Sequence, residues 1–321
     1  MSNRIQLLSF AIVAACFASG AAAQATFGFA TLPPGSLLHT QASVIAKVVQ
    51  DNSKLQIRVI GFGGDSGILE AVNSKKADFW VLDVGESADA MHGRGNWKNN
   101  AKAGLRTAIT MDAFQMAFWV RKDSNIRTVA DLKGKRVPSG WVQQTGVIPH
   151  TIAVLASGGL TFNDVQQVPH VNVVRAADDF KAGNLDILFF AVGAPKVAEV
   201  AASVGGLRVL KMDPLPDSEK RMKAVRSEYY YSTVRPAPHI AGVDQPVPVQ
   251  TIDVVVGVGS HVSDDVVYEF VKAMHRNKKG LAEGHPNFNR FDEKAAGKIQ
   301  PTLPHHPGAI KYFREIGIWR G

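Results

Sequence analysis

"ADFWVLDVG", residues 77–85, has an aspartate at its second position, then a run of buried-type residues, and closes on Val-Gly. At residues 185–193 "LDILFFAVG" repeats the plan: an aspartate, an apolar run, and Val-Gly seven residues after the aspartate. Helical patterns precede both, ending in the lysine-containing turns "NSKKA" and "FKAGNL". The echo is short, and two helix-to-strand turns can converge on such a pattern. It nevertheless indicates two similarly built halves. Between them lies "VADLKGKRV", 129–137, in which Asp131 and Leu132 form one helical turn, Gly134 supplies a left-handed stop and Arg136-Val137 begins a strand. That segment reads as the entrance to the second half.

Working outward, strands and helices alternate throughout. "ATFGFAT" (25–31) reads as a strand, followed by a helix over 37–50 with Leu38, Ala42, Ile45, Ala46 and Val49 on one face. "LQIRVIG", "DFWVLDVG" and "RTAITM" are short strands separated by helical patterns. In the second half come "KRVPSG", a helix over 147–156, "VQQVPHV", a helix over 174–182, "LDILFFAVG" and a helix from Pro195. Such alternation implies an α/β fold with mostly parallel sheets covered by helices.

The amino terminus is of a different kind. Arg4, an apolar run from Leu7 to Phe17 and Ala21-Ala22-Ala23 before Gln24 give residues 1–23 the form of a secretory signal peptide. The apolar run is shorter than the 20 or so residues that span a bilayer. Val13-Ala14-Ala15-Cys16 also fits a lipobox, so Cys16 is a candidate acylation site. Cys16 is the only cysteine, which excludes disulfides, thiolate catalysis and cysteine-based zinc sites in the remainder. The chain of 321 residues suffices for two ordinary domains. Its net charge of +8 is spread among acids, as in "RKDSNIR", and not gathered into a basic stripe with aromatics, which argues against nucleic-acid binding and leaves a mild preference for anionic small molecules.

Open α/β sheets bind ligands beyond the carboxyl ends of their strands. Here those loops are "LPPGSLL" (32–38), "GFGGDSG" (61–67), "DVGES" (83–87), "SGWVQQTG" (139–146) and "AVGAP" (191–195). Glycine permits close backbone approach, and helix-start N–H groups with the hydroxyls of Ser36, Ser66 and Thr145 suit a carboxylate or other oxyanion. Each loop alone is equally a turn with a cap; five together indicate a cleft. The candidate ligand-binding residues are Pro34, Gly35, Ser36, Leu37, Gly63, Gly64, Asp65, Ser66, Asp83, Val84, Trp141, Gln143, Gln144, Thr145, Gly146, Val192, Gly193 and Ala194, with Arg235 as a carboxylate clamp or an exposed salt bridge. Asp83 suits a ligand ammonium or a helix cap, and Trp141 a ligand wall or packing.

Catalytic motifs fail on inspection. Gly64-Asp65-Ser66-Gly67 matches the string around a serine-protease nucleophile, but only His39 lies upstream and the setting is α/β. Ile68 breaks the nucleophile-elbow pattern. His305-His306 precede Pro307, the expected first residue of a helix with Ile310, Phe313 and Ile316 on its apolar side and Gly317 as its stop. His275 and His285 do not have metal-ligand spacing relative to them. Walker and Rossmann glycine patterns are absent. The expected protein is a binder without cofactor or metal, and not an enzyme.

"GFGGDSGILEAVNSKKADFWVLD", "FWVRKDSNIRTVADLKGKRV", "DDFKAGNLDILFFAVGAP", "SHVSDDVVYEFVKAMHRN" and "LPHHPGAIKYFREIGIW" resemble, in order and spacing, the solute receptors of the TAXI group of TRAP transporters. The resemblance extends from Phe27 to Trp319. It implies a two-lobed periplasmic binding protein, type II-like, joined by two hinge strands, "QMAFWVRKD" outward and "TIDVVVGVGS" on return. Lobe one would be 24–122 with 253–321, and lobe two 123–252. It further implies a monomeric periplasmic receptor that captures a small organic acid or amino acid and delivers it to an ion-gradient-driven membrane permease. The binding subunit of an ATP-driven importer and a ligand sensor for a membrane kinase are the alternatives. The family's first loop carries a Thr-Tyr pair where this chain has Ser36-Leu37-Leu38, and relatives often have an amide at Asp83. In the helix after the return crossing, Ser263 is placed to cap, Val266, Val267, Phe270, Val271 and Met274 form the buried face, and Lys272 and Arg276 suit the far end.

Overall fold

The computed structural model describes residues 25–212 and 216–321. The expected signal peptide and Cys16 lie outside the described residues. The chain begins β1 (Thr26–Thr31), α1 (Leu37–Asp51), β2 (Gln56–Gly61), α2 (Asp65–Asn73), β3 (Phe79–Asp83) and α3 (Val84–His92), then enters the long β4 (Leu105–Arg121). There follow β5 (Arg136–Gly140), α4 (Val147–Ser157), β6 (Gln166–His170), α5 (Val173–Lys181), β7 (Leu188–Ala191), α6 (Pro195–Ser203), β8 (Leu207–Val209), α7 (Pro216–Val225) and β9 (Tyr230–Val234). The long β10 (Val247–Gly259) leads back to α8 (Asp264–His275), α9 (Lys278–Gly284) and α10 (Pro307–Glu315).

The expected alternation of strand and helix is present. One eight-stranded sheet has the order β2-β1-β3-β10-β4-β7, with β8 beside β4 and β9 beside β10, and β5 pairs with β6 in a second, small sheet. β1 is parallel to β2 and β3, and β5 is parallel to β6. The centre is not parallel. β10 runs antiparallel to β3, β4 and β9, and β4 antiparallel to β7 and β8. The reason is the length of the two crossing strands. "RTAITM" and the outward crossing are a single 17-residue strand, so β4 pairs with β10 along its first part and with β7 and β8 along its last, and β10 returns against it in the opposite direction.

Local chemistry explains the element ends. Val129–Leu132 forms one 3₁₀ turn closed by Asp131, whose carboxylate accepts the Thr128 N–H, and Gly134 follows at φ +73° before β5 starts. Ser36 caps α1 by accepting the His39 N–H. Ser263 stands at the cap position of α8, but its side chain makes no cap bond; Asp264 and Asp265 supply the favourable first-turn charge. Val267, Phe270, Val271 and Met274 are buried there as expected, whereas Val266 is half-buried. Phe270 stacks on Phe79 of β3 at 4.2 Å, which anchors α8 to the sheet. His306 caps α10 and Pro307 is its first residue, but Tyr312 and Phe313 carry its packing while Ile310 and Ile316 are half-buried. The apolar core is continuous across the described residues. No helix among them is long and apolar enough to cross a membrane.

Candidate functional site

The starts of α1, α2 and α3 and the approach to α4 meet around one small cavity, closed on its remaining side by the middle of β4 and the end of β7. Its volume is about 40 Å³, room for a few waters and far below the few hundred Å³ of an organic-ligand pocket. A solute can therefore enter only if these walls move apart. Leu32, Leu37, Leu38, Phe114, Met116 and Phe190 make much of the lining apolar. The polar lining is Ser36, Asp65, Asp83, Glu86, Gln144 and His150, all buried.

Each polar group is placed by an element end. Asp65 is the first residue of α2; its Oδ2 accepts the Gly146 N–H at 2.7 Å and the Thr145 hydroxyl at 3.2 Å across the cavity mouth. Asp83 ends β3 and caps α3, its Oδ1 accepting the Glu86 N–H at 2.9 Å. Its Oδ2 faces His150 Nε2 at 3.5 Å, and His150 Nδ1 lies 3.3 Å from the Gln250 amide oxygen of β10. Glu86, one turn into α3, accepts the Trp97 indole N–H at 2.6 Å. Gln144 accepts the Val173 N–H at the start of α5.

The electrostatics follow from burial and crowding. Burial raises Asp65, and the Glu86 carboxyl beside it is pushed well above its ordinary range by burial and then by the charges of Asp65 and Asp83. Burial would raise Asp83 too, but His150, Arg226 and the Glu86 N–H outweigh it and hold that carboxyl low. Arg226 stands against Gly85 and pairs with Asp89 at 2.7 Å. Burial alone would lower its affinity for its proton; Asp83, Tyr229, Asp89 and Glu86 keep it charged.

Of the residues singled out from the sequence, Ser36, Leu37, Asp65, Asp83, Gln144 and Gly146 line this cavity together. Gly63, Gly64, Ser66 and Thr145 do not line it but adjoin residues that do: Asn172 donates to the Gly63 carbonyl at 3.2 Å, and Ser66 and Thr145 hydroxyls lie 3.4 Å apart. Gly35 accepts the Lys196 N–H and takes φ +92°, while Pro34 and Gln143 are exposed. Val84 is buried in the first turn of α3, Val192 bonds Gln115 and Asn287, Gly193 abuts Asn287, and Ala194 stands at the cap position of α6; none of these lines the cavity.

Trp141 is wholly buried near His170 and Phe189 and is not among the residues lining the cavity. Arg235, past the end of β9, is exposed and away from the lining; the guanidinium that does approach is Arg226. Glu86 and His150 were within reach of sequence reasoning, one inside the quoted "DVGES" loop and the other one turn into the helix after "SGWVQQTG". Phe114 and Met116 had no local signal, since they lie mid-strand. Among the described residues no group of His, Cys, Asp or Glu is arranged to hold a metal ion.

The sequence model of the NMT1-like family matches residues 29–317. Among solved structures, the alkanesulfonate-binding protein SsuA from Xanthomonas axonopodis pv. citri bound to MOPS is similar at 16% identity, covering 92% of this chain and 94% of that one, with a TM-score of 0.50. A protein of Bordetella bronchiseptica RB50 is 16% identical over 92% of this chain and 89% of that one, with a TM-score of 0.52. The likeness is one of fold.

Proposed function

Since the chain belongs to the NMT1-like family, we propose that it is an extracytoplasmic solute receptor. It takes up one small organic molecule between two lobes, 24–122 with 253–321 and 123–252, and hands it to an ion-gradient-driven permease of the TRAP kind. β4 and β10 are its hinge strands, and the periplasm is its compartment. The observation that carries this reading is the meeting of loop ends from both sides of β4 and β10 around one buried cavity, with hydrogen bonds such as Asp65 to Gly146 bridging residues 81 positions apart. Binding shifts an equilibrium between separated and apposed walls, and no bond of the solute is made or broken. The test is a thermal-shift screen of the chain lacking 1–23 against amino acids, amines, dicarboxylates, aromatic acids and sulfonates. A ligand at about 100 times its dissociation constant adds about 2.7 kcal/mol. A saturable rise of the midpoint with one chemical class and no turnover is the expected result; turnover of the compound, or no response to any class, counts against the receptor reading.

A further inference from the structure

Asp65, Asp83 and Glu86 border the cavity, and neither lysine nor arginine does. Asp65 and Glu86 lie side by side against Gly146, where a Cβ would be 3.0 Å from the Glu86 carboxyl carbon and 3.1 Å from Asp65 Oδ2. Asp65 Oδ2 and Glu86 Oε1 are already occupied by donors. Asp65 Oδ1 is not: it is buried, on a side chain 2% exposed, and no donor reaches it. Its neighbour is the Glu86 carboxyl, another acceptor unless protonated. Two buried carboxyls so placed hold a proton between them or accept one from a ligand. The other charged or titratable groups around them are Asp83, His150, Arg226 with its partner Asp89, and Tyr229.

The rest of the chemistry narrows the class. A bare metal ion finds no cluster of ligands among the described residues, so a fitting cation must bring its own N–H donors. Beyond the carboxyl pair the wall is apolar, formed by Leu37, Phe114, Met116 and Phe190 among others. A ligand carboxylate would meet like charge at Asp65 and Asp83 and would find no lysine or arginine in the lining.

Building on the receptor reading above, we propose that the solute is a small organic amine, its protonated amino group donating to Asp65 and Glu86 and its apolar body lying against the leucine and phenylalanine wall. The ammonium takes the place of the proton held by the pair. The same arrangement disfavours a free anionic solute.

Isothermal titration of the chain lacking 1–23, near neutral pH, tests this with 2-phenylethylamine and 3-methylbutylamine, their acid counterparts 3-phenylpropionate and 4-methylpentanoate, and neutral 2-phenylethanol. The expected result is that the amines bind about tenfold or more tighter than the acids and the alcohol. Repeating the amine titration in buffers of different ionisation heat should show release of about one proton, and Glu86→Gln, which leaves a fixed amide donor to Asp65, should lose both the proton release and about tenfold in affinity. Acids or alcohol binding as tightly as the amines would overturn the amine assignment and leave a receptor. Absence of binding by all five would overturn the amine assignment, while the receptor reading stands or falls on the wider thermal-shift screen.

Discussion

Gly64→Ala tests whether the two walls of the cavity meet in solution as described. Gly64 has φ −176° and ψ 178°, an extended backbone that alanine adopts without strain, so the effect of the substitution is one of space. A Cβ at this position would overlap the Gln143 carbonyl and lie 2.8 Å from the Gln144 Cα, closer than real Cβ contacts come. The obstacle is backbone, which cannot swing aside as a long side chain does. Segment 143–146 must therefore retreat by about 1–2 Å for atoms to regain ordinary separation. That movement stretches the bonds from Asp65 to Gly146 (2.7 Å) and Thr145 (3.2 Å) and from Asn172 to Gly63 (3.2 Å) past hydrogen-bonding range. Two of the three involve a carboxylate. With water replacing them once the walls part, the net loss is about 2–4 kcal/mol, or roughly 30- to 1,000-fold in the ratio of closed to open molecules. Small-angle X-ray scattering reads this directly: the variant should show a larger radius of gyration than the wild type, with unchanged circular dichroism and weaker solute binding. Superimposable scattering curves together with equal affinity would refute the steric argument.

Other consequences can be read from single sites. Gly257 lies opposite Trp80 across the β10–β3 pair, and a Cβ there would collide with the indole; Gly257→Ala should cost about 1–3 kcal/mol in urea unfolding through overpacking of the core, and an unchanged midpoint would count against that close approach. Asp83→Asn keeps the cap but removes a charge that His150 and Arg226 stabilise, so it should lower the thermal midpoint, and Asp83→Ala, which also loses the cap, should lose about 1 kcal/mol more; equal losses would mean that the charge alone, and not the cap to Glu86, holds α3. Burial lowers His305, packed on Trp319 at 5.0 Å, to about 4. The unfolded chain, titrating at 6.5, then binds the proton more readily than the folded one, so stability is complete above that value and falls as pH drops from it towards 4. The loss is about 3 kcal/mol in all and about 2 by pH 5. His305→Leu should remove most of that acid-side slope in urea titrations at pH 7 and 5, and an equal slope in both proteins would assign it to other groups.

What was legible in the sequence was local. The turn at 129–132, the glycine stop at 134, the cap at Ser36, the proline start of α10 and the apolar faces of α1 and α8 are set by neighbours within a turn or two. The same holds for the five glycine- and hydroxyl-rich loops, four of which supply a polar residue of the cavity lining, Ser36, Asp65, Asp83 and Gln144. Arg235 drew attention because its residue type suits a carboxylate clamp, and only the tertiary structure shows that its position beyond the end of β9 leaves it exposed.

The sequence by itself determined the α/β class and the alternation of strand and helix as far as the helix at Pro195, since backbone preference and hydrophobic period act over a few residues. Only the tertiary structure decided that β4 and β10 run antiparallel through one sheet, that Asp65 reaches Gly146, that Asp83 faces His150 across 67 residues, and that Glu86 lies against Asp65. Those facts depend on which distant atoms share a buried, poorly solvated space. The charge a carboxyl carries there, and so the kind of solute it favours, is a property of that space and not of the residue's place in the chain.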